Sequence, residues 1–138
     1  MTSKPPFVAQ ERSDTCVVAC VRMILAARGI QTTEKELVQA AAMPVGGLNP
    51  DELARLATKF GIDAAAEQLT PAEISQLLKI GRFPITFLYR KPLDGVAAIH
   101  AVIPFRITAG FAYLLDPMHG EHRVSRRRFD EARRWVDL

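Results

Sequence analysis

Gln10-Glu-Arg-Ser-Asp-Thr-Cys16-Val-Val-Ala-Cys-Val-Arg-Met-Ile-Leu25 sets a cysteine where an amphipathic helix is about to begin. Ser13, Asp14 and Thr15 are residue types that cap helices, and Val17, Val18, Val21, Ile24 and Leu25 recur behind them at helical spacing. The pattern predicts Cys16 in the first turn. Free N–H groups and the positive end of the helix dipole favour a thiolate there, which lowers the thiol pKa and raises its reactivity. An amide, Gln10, lies six residues upstream. A nucleophilic thiolate also needs a base. Of the three histidines, His100 alone sits inside an apolar, strand-like stretch, so Cys16 and His100 form the candidate pair.

Outward from this helix the chain divides in two. The first half reads as helices: one ending at Gly29, one opening at Thr32 or Thr33, one after Asn49-Pro50-Asp51 that ends near Gly61, and a short one after Thr70-Pro71. After Gly81 the period changes. Phe83 to Tyr89, Ala97 to Ile107 and Phe111 to Leu115 are rich in β-branched and aromatic residues and read as strands, and a last helix begins near Ser125. Helices first and strands later predict an α+β fold, with the early helix packed on an antiparallel sheet. No internal repeat or linker interrupts the chain, so residues 1–138 are expected to form one domain.

Composition narrows the function classes. A chain of 138 residues, 49% hydrophobic and 24% charged, can bury a normal core. A net charge of +3 and a pI near 9.1 are too mild, without a recognisable module, to point to nucleic acid. Two cysteines four apart on one helix are poor disulfide partners, so a cytoplasmic location is the default expectation. The N-terminus lacks the apolar core of a signal peptide, and no stretch is apolar enough for a membrane span.

The hairpin carrying His100 turns at Thr108-Ala109-Gly110. A two-residue loop would send His100 and Asp116 to opposite faces, because side chains alternate along a strand. A three-residue loop, with Ile107 paired to Phe111 and Gly110 left-handed, puts Asp116 near Val102 on the face of His100. Asp116 is then expected to accept the Nδ1 proton of His100 and stabilise its imidazolium. A bulge at Pro104 would upset this register.

Together these residues resemble the bacteriocin-processing peptidases, papain-like cysteine peptidases often found as N-terminal domains of exporters that trim double-glycine leaders. The resemblance runs through Gln10 and Cys16, Ala19-Cys20, Met23-Ile24-Leu25 and Gly29; Gly47-Leu48, Leu53, Ala57 and Gly61; Phe83-Pro84-Ile85; His100-Ala-Val; Asp116-Pro117 with Gly120; and Val124-Ser125 with Phe129 and Trp135. It implies a papain-like fold, Cys16 as nucleophile, His100 as base and acid, Asp116 as orienting residue and Gln10 as oxyanion donor. It also implies a peptide or protein substrate cut at a small-residue site, no cofactor, and an ABC exporter as candidate partner, whereas an immunity-like protein as partner would favour a toxin. The sequence departs from the family at Val17, where glycine usually follows the nucleophile, and at Asp14, one place before its usual position. Val17 either crowds the acyl site or turns into the core. Two rival readings stand beside hydrolysis: a non-catalytic peptide-binding module with the same groove, and a papain-like toxin or acyl-transfer enzyme, with RNA a candidate substrate given the arginines.

The remaining features read as structure. Cys20, surrounded by Val21 and Ile24, reads as a packing residue. Cys16, Cys20, His119 and His122 have poor spacing for zinc, with both thiols on a helix and both histidines in a turn. The arginines at 123, 126, 127, 128, 133 and 134 read as a solvated helix face that Phe129 and Trp135 anchor to the core, with a partner surface as the alternative. Gly46-Gly47 reads as a flexible turn.

Overall fold

The computed structural model describes residues 4–137, with side chains through Arg133; the expected anchoring role of Trp135 therefore lies outside the described side chains. Four helices come first, α1 (Cys16–Ala27), α2 (Glu34–Ala41), α3 (Pro50–Lys59) and α4 (Pro71–Lys79). They are followed by β1 (Thr86–Tyr89), a single-turn α5 (Lys91–Asp94), β2 (Ile99–Ile107), β3 (Phe111–Asp116), β4 (Gly120–Ser125) and α6 (Arg126–Asp137). The expected α+β class and antiparallel pairing hold. The four strands form one antiparallel sheet in the order β1-β2-β3-β4.

Local chemistry explains most helix starts. Thr33, Asn49 and Thr70 each accept the N–H of the residue three ahead, Glu36, Glu52 and Glu73, whose carboxylates reach back to the cap N–H. Proline at the first position of α3 and α4 adds a preset φ.

α1 is more buried than its expected amphipathic character implies. Seven of its twelve residues are buried, so it is a central helix and not a surface one. Val18, Cys20, Val21, Met23 and Leu25 pack with Leu37, Leu56, Ala101, Ile103 and Leu115, joining α1 to α2, α3 and one face of the sheet. On the other face Leu88, Val102, Ala112 and Leu114 pack with Phe129 and Ala132 of α6. Burial on both faces explains why β2 is buried without alternation from His100 through Pro104.

The β2–β3 hairpin corrects the expected register. Thr108 N–H donates to the Phe111 carbonyl at 2.9 Å, closing the two-residue loop Ala109-Gly110, and Gly110 is not among the glycines of positive φ. Ile107 therefore pairs with Ala112, not Phe111. The ladder slips by one residue between Pro104 and Arg106, so that Ile103 faces Leu115. The same count carried one step further sets Asp116 opposite Val102. A short loop and a bulge give the arrangement expected of a longer loop without one, because each changes the register by one residue.

Two elements went unread in the sequence. β4 pairs with β3 along its length, with His122 opposite Leu114 and Gly120 opposite Asp116. α5 was likewise missed, and β1 is shorter than its apolar run.

Candidate active site

Cys16 is the first residue of α1 and is partly exposed. Thr15, its N-cap, makes no side-chain cap bond; its hydroxyl instead bonds back to Arg12 at 3.0 Å. The first-turn N–H groups thus face the site with no side-chain acceptor from the cap, which favours negative charge there. Val17, directly after Cys16, is buried in the core, which settles its direction.

β2 brings the base. It pairs with β1 over Ile99 to Val102 and with β3 from Ile103 onward, so at His100 the β3 side of the strand is open to other partners. The thiol fills that opening. It hydrogen-bonds His100 and receives the Ala101 N–H. Burial disfavours the thiolate, but the bond to His100, the Ala101 N–H and the imidazolium charge outweigh it and hold the Cys16 pKa below the usual thiol value.

Asp116, at the end of β3, is 4% exposed and meets His100 at 2.6 Å from Oδ1 to Nε2. The expectation of an Nδ1 contact is therefore corrected. Because Nε2 faces the carboxylate, Nδ1 is the nitrogen left for the thiol, which suits a ring placed between the two groups. Met118 and His119 N–H groups also donate to Oδ1, at 2.9 and 3.3 Å. Burial opposes ionisation of Asp116, but the hydrogen bond and charge of His100, with the Met118 N–H and the His122 side chain, keep it far below the ordinary carboxylate range. His100 responds in the opposite direction. Burial favours its neutral form, yet the bonds to Asp116 and Cys16 raise its pKa from 6.5 to about 9.

Gln10 approaches through the loop before α1, whose backbone is tied to the β3–β4 turn by Gln10 N–H donating to the Pro117 carbonyl at 3.1 Å. Its side-chain nitrogen donates to the Arg12 carbonyl at 2.8 Å, and Oε1 is buried with no hydrogen-bond partner. The Gly46-Gly47 turn lies against the loop that leads into Cys16. The Gly46 N–H donates to the Asp14 carboxylate at 3.4 Å, and a Cβ on Gly47 would meet the Asp14 carbonyl oxygen at 3.0 Å. At φ +97° and in that contact, only glycine lets the turn lie against the loop leading into Cys16.

Cys20 is fully buried, and burial first, then the charges of Cys16 and Asp116, push its pKa well above the thiol range. It packs, as expected. Among the described residues no group of three or more histidine, cysteine, aspartate or glutamate side chains is placed to hold a metal. The structure also brings to the site a residue that the sequence reading left in a turn: His122 Nε2 lies 3.2 Å from Asp116 Oδ2.

A cysteine at the start of a central helix, packed against an antiparallel sheet that carries a histidine and a carboxylate, defines a papain-like peptidase fold. The chain belongs to the Peptidase C39 family, whose sequence model matches residues 4–135. It is similar to a double-glycine motif protease from an AMS/PCAT transporter, solved in complex with the leader peptide, with a TM-score of 0.75 at 18% identity over 95% of this chain and 86% of that one. It is also similar to the peptidase domain of Streptococcus ComA, a bifunctional ABC transporter involved in a quorum-sensing pathway, with a TM-score of 0.72 at 15% identity over 94% and 92% of the two chains. No curated protein matches it by sequence.

Proposed function

We propose that this chain, taken as a single peptidase domain, is a cysteine peptidase that hydrolyses peptide bonds through a thioester acyl-enzyme. The observation that carries the reading is the Cys16–His100–Asp116 line, in which three separate elements meet and the thiol pKa falls as the imidazole pKa rises. The Cys16 thiolate attacks the scissile carbonyl carbon and forms the C–S bond. Negative charge gathers on the carbonyl oxygen, where the Cys16 N–H and a Gln10 amide proton stabilise it. Such a donor typically contributes about 3–4 kcal/mol to the transition state. His100 gives its Nδ1 proton to the leaving amine as the C–N bond breaks. It then takes a proton from water, which attacks the thioester and releases Cys16.

The proposed substrate is a peptide or protein with a small-residue site of the double-glycine kind, met on the cytoplasmic side of an exporter. Support comes from family membership and from the fold likeness to peptidase domains of transporters, one of them solved with its leader peptide. No helix among the described residues is long and apolar enough to cross a membrane. The test is a panel of peptides carrying Gly-Gly, Gly-Ala and bulky boundaries, followed by mass spectrometry with wild type and Cys16→Ala. Cleavage after small pairs by wild type alone is expected. Alkylation of Cys16 near neutral pH without cleavage of any peptide would favour a binding module, and cleavage confined to bulky boundaries would overturn the substrate assignment.

A further inference from the structure

Asp116 is held from both oxygens. Oδ1 receives His100 Nε2 and the N–H groups of Met118 and His119, whereas His122 Nε2 is the partner of Oδ2 at 3.2 Å. An ionised carboxylate only accepts, so each facing nitrogen carries a proton. The fold supplies this geometry. His122 pairs across β3 with Leu114 and so projects from the sheet face that carries Asp116, while Gly120, opposite Asp116, has open space where a Cβ would stand.

We propose that His122 is a positioning residue that clamps the second oxygen of Asp116, so that the first stays aimed at His100 Nε2. A buried carboxylate oxygen without a donor is costly, and one free to turn would hold the imidazole less well. His122 also lines, together with His100 and Asp116, a cavity of about 250 Å³ whose other polar lining residues are Arg90, Asp94 and His119. Arg90 and Asp94 neutralise each other at 2.7 Å, and His119 meets His122 edge to face at 6.1 Å between centroids. Water in that cavity is the rival donor to Oδ2. A ring fixed on a paired strand differs from water by restraining direction as well as satisfying the oxygen. The kinetic consequence rests on the peptidase reading; the clamp itself does not.

The experiment measures the pH dependence of Cys16 alkylation by iodoacetamide, which needs no peptide, beside kcat and KM on a Gly-Gly peptide. In wild type the alkylation rate should step up near pH 9 as His100 loses its proton. His122→Ala should move that step down by about half a unit or more and lower kcat several-fold with little change in KM. His122→Gln, which keeps an amide donor, should recover most of both. An unchanged step in a folded His122→Ala, or a Gln variant no better than Ala, would overturn the clamp. Ring nitrogen NMR of the wild-type protein decides the matter without any variant: His122 should be the Nε2–H tautomer, and an Nδ1–H ring would overturn the proposal. An alkylation step that shifts in a protein inactive on every peptide would keep the clamp and overturn the peptidase reading.

Discussion

The first turn of α1 and the first turns of α2, α3 and α4 solve the same problem in opposite ways. Each helix begins with N–H groups that lack partners within the helix. In α2, α3 and α4 a cap side chain and a glutamate form a reciprocal box that satisfies two of them. In α1 the cap Thr15 turns back to Arg12, and the first residue of the helix is Cys16. A box would make α1 a better-ended helix and a poorer place for an anion. What separates the turns is therefore what they leave unsatisfied. The contrast continues within α1, where Cys16 has a lowered pKa and Cys20, one turn on, a raised one.

The largest expected effect breaks the pair of cysteines apart. Cys16→Ala should abolish hydrolysis and neutral-pH alkylation while leaving the melting temperature nearly unchanged, because its thiol is partly exposed. Cys20→Ala should keep both activities and cost about 1–2 kcal/mol in denaturant unfolding, since it removes a fully buried sulfur. Reversed phenotypes would sink the assignment.

Next comes the group that acts on the carbonyl oxygen alone. Gln10→Ala should lower kcat by roughly 10²–10³ and leave the alkylation rate of Cys16 unchanged, since an oxyanion donor does not touch the thiolate. Near-normal turnover would reduce Gln10 to the loop residue that its bond to Arg12 already makes it.

A partial loss of activity is expected from Asp116→Asn, because the amide oxygen still accepts from the ring but carries no charge. The sign follows from the raised His100 pKa. Asp116 favours the imidazolium, so its loss should lower the alkaline limb of the pH–activity profile from about 9 toward 6.5 and narrow the window of the thiolate–imidazolium pair. An alkaline limb that stays in place would remove Asp116 from the site.

These residues were legible in unequal degree. Cys16 could be read because a helix start is written locally, in Thr15 and the apolar spacing behind it, and the boxes at Thr33, Asn49 and Thr70 are local in the same way. The pairing of His100 with Asp116 depends on register, which is set by the two-residue loop and the slip at Phe105 together; two departures from the expected hairpin cancelled. β4 was illegible because Gly120-Glu-His-Arg-Val-Ser125 is an edge strand with one strongly apolar residue, Val124, and its identity comes from pairing with β3. With β4 unread, nothing in the sequence could bring His122 to Asp116. The choice of Nε2 over Nδ1 is similarly tertiary, fixed by where α1 approaches the ring.

The smallest effect tests the other half of the comparison, the capped helices. Asn49 Oδ1 accepts the Glu52 N–H at 2.8 Å, and Glu52 Oε1 accepts the Asn49 N–H at 2.9 Å. Asn49→Ala removes the Oδ1 bond, while the backbone N–H of residue 49 keeps Glu52 as acceptor, and should cost about 1 kcal/mol of stability, read as a lower denaturant midpoint with unchanged slope. If capping serves only the helix, kcat/KM per folded molecule should stay at the wild-type value. The position makes this a demanding control, since Asn49 stands two residues after Gly47, which lies against the Asp14 carbonyl on the loop into Cys16. A tenfold fall in activity without unfolding would mean that the α3 box also holds that turn against the site, and the division between stabilising and reactive helix starts would have to be redrawn to include α3.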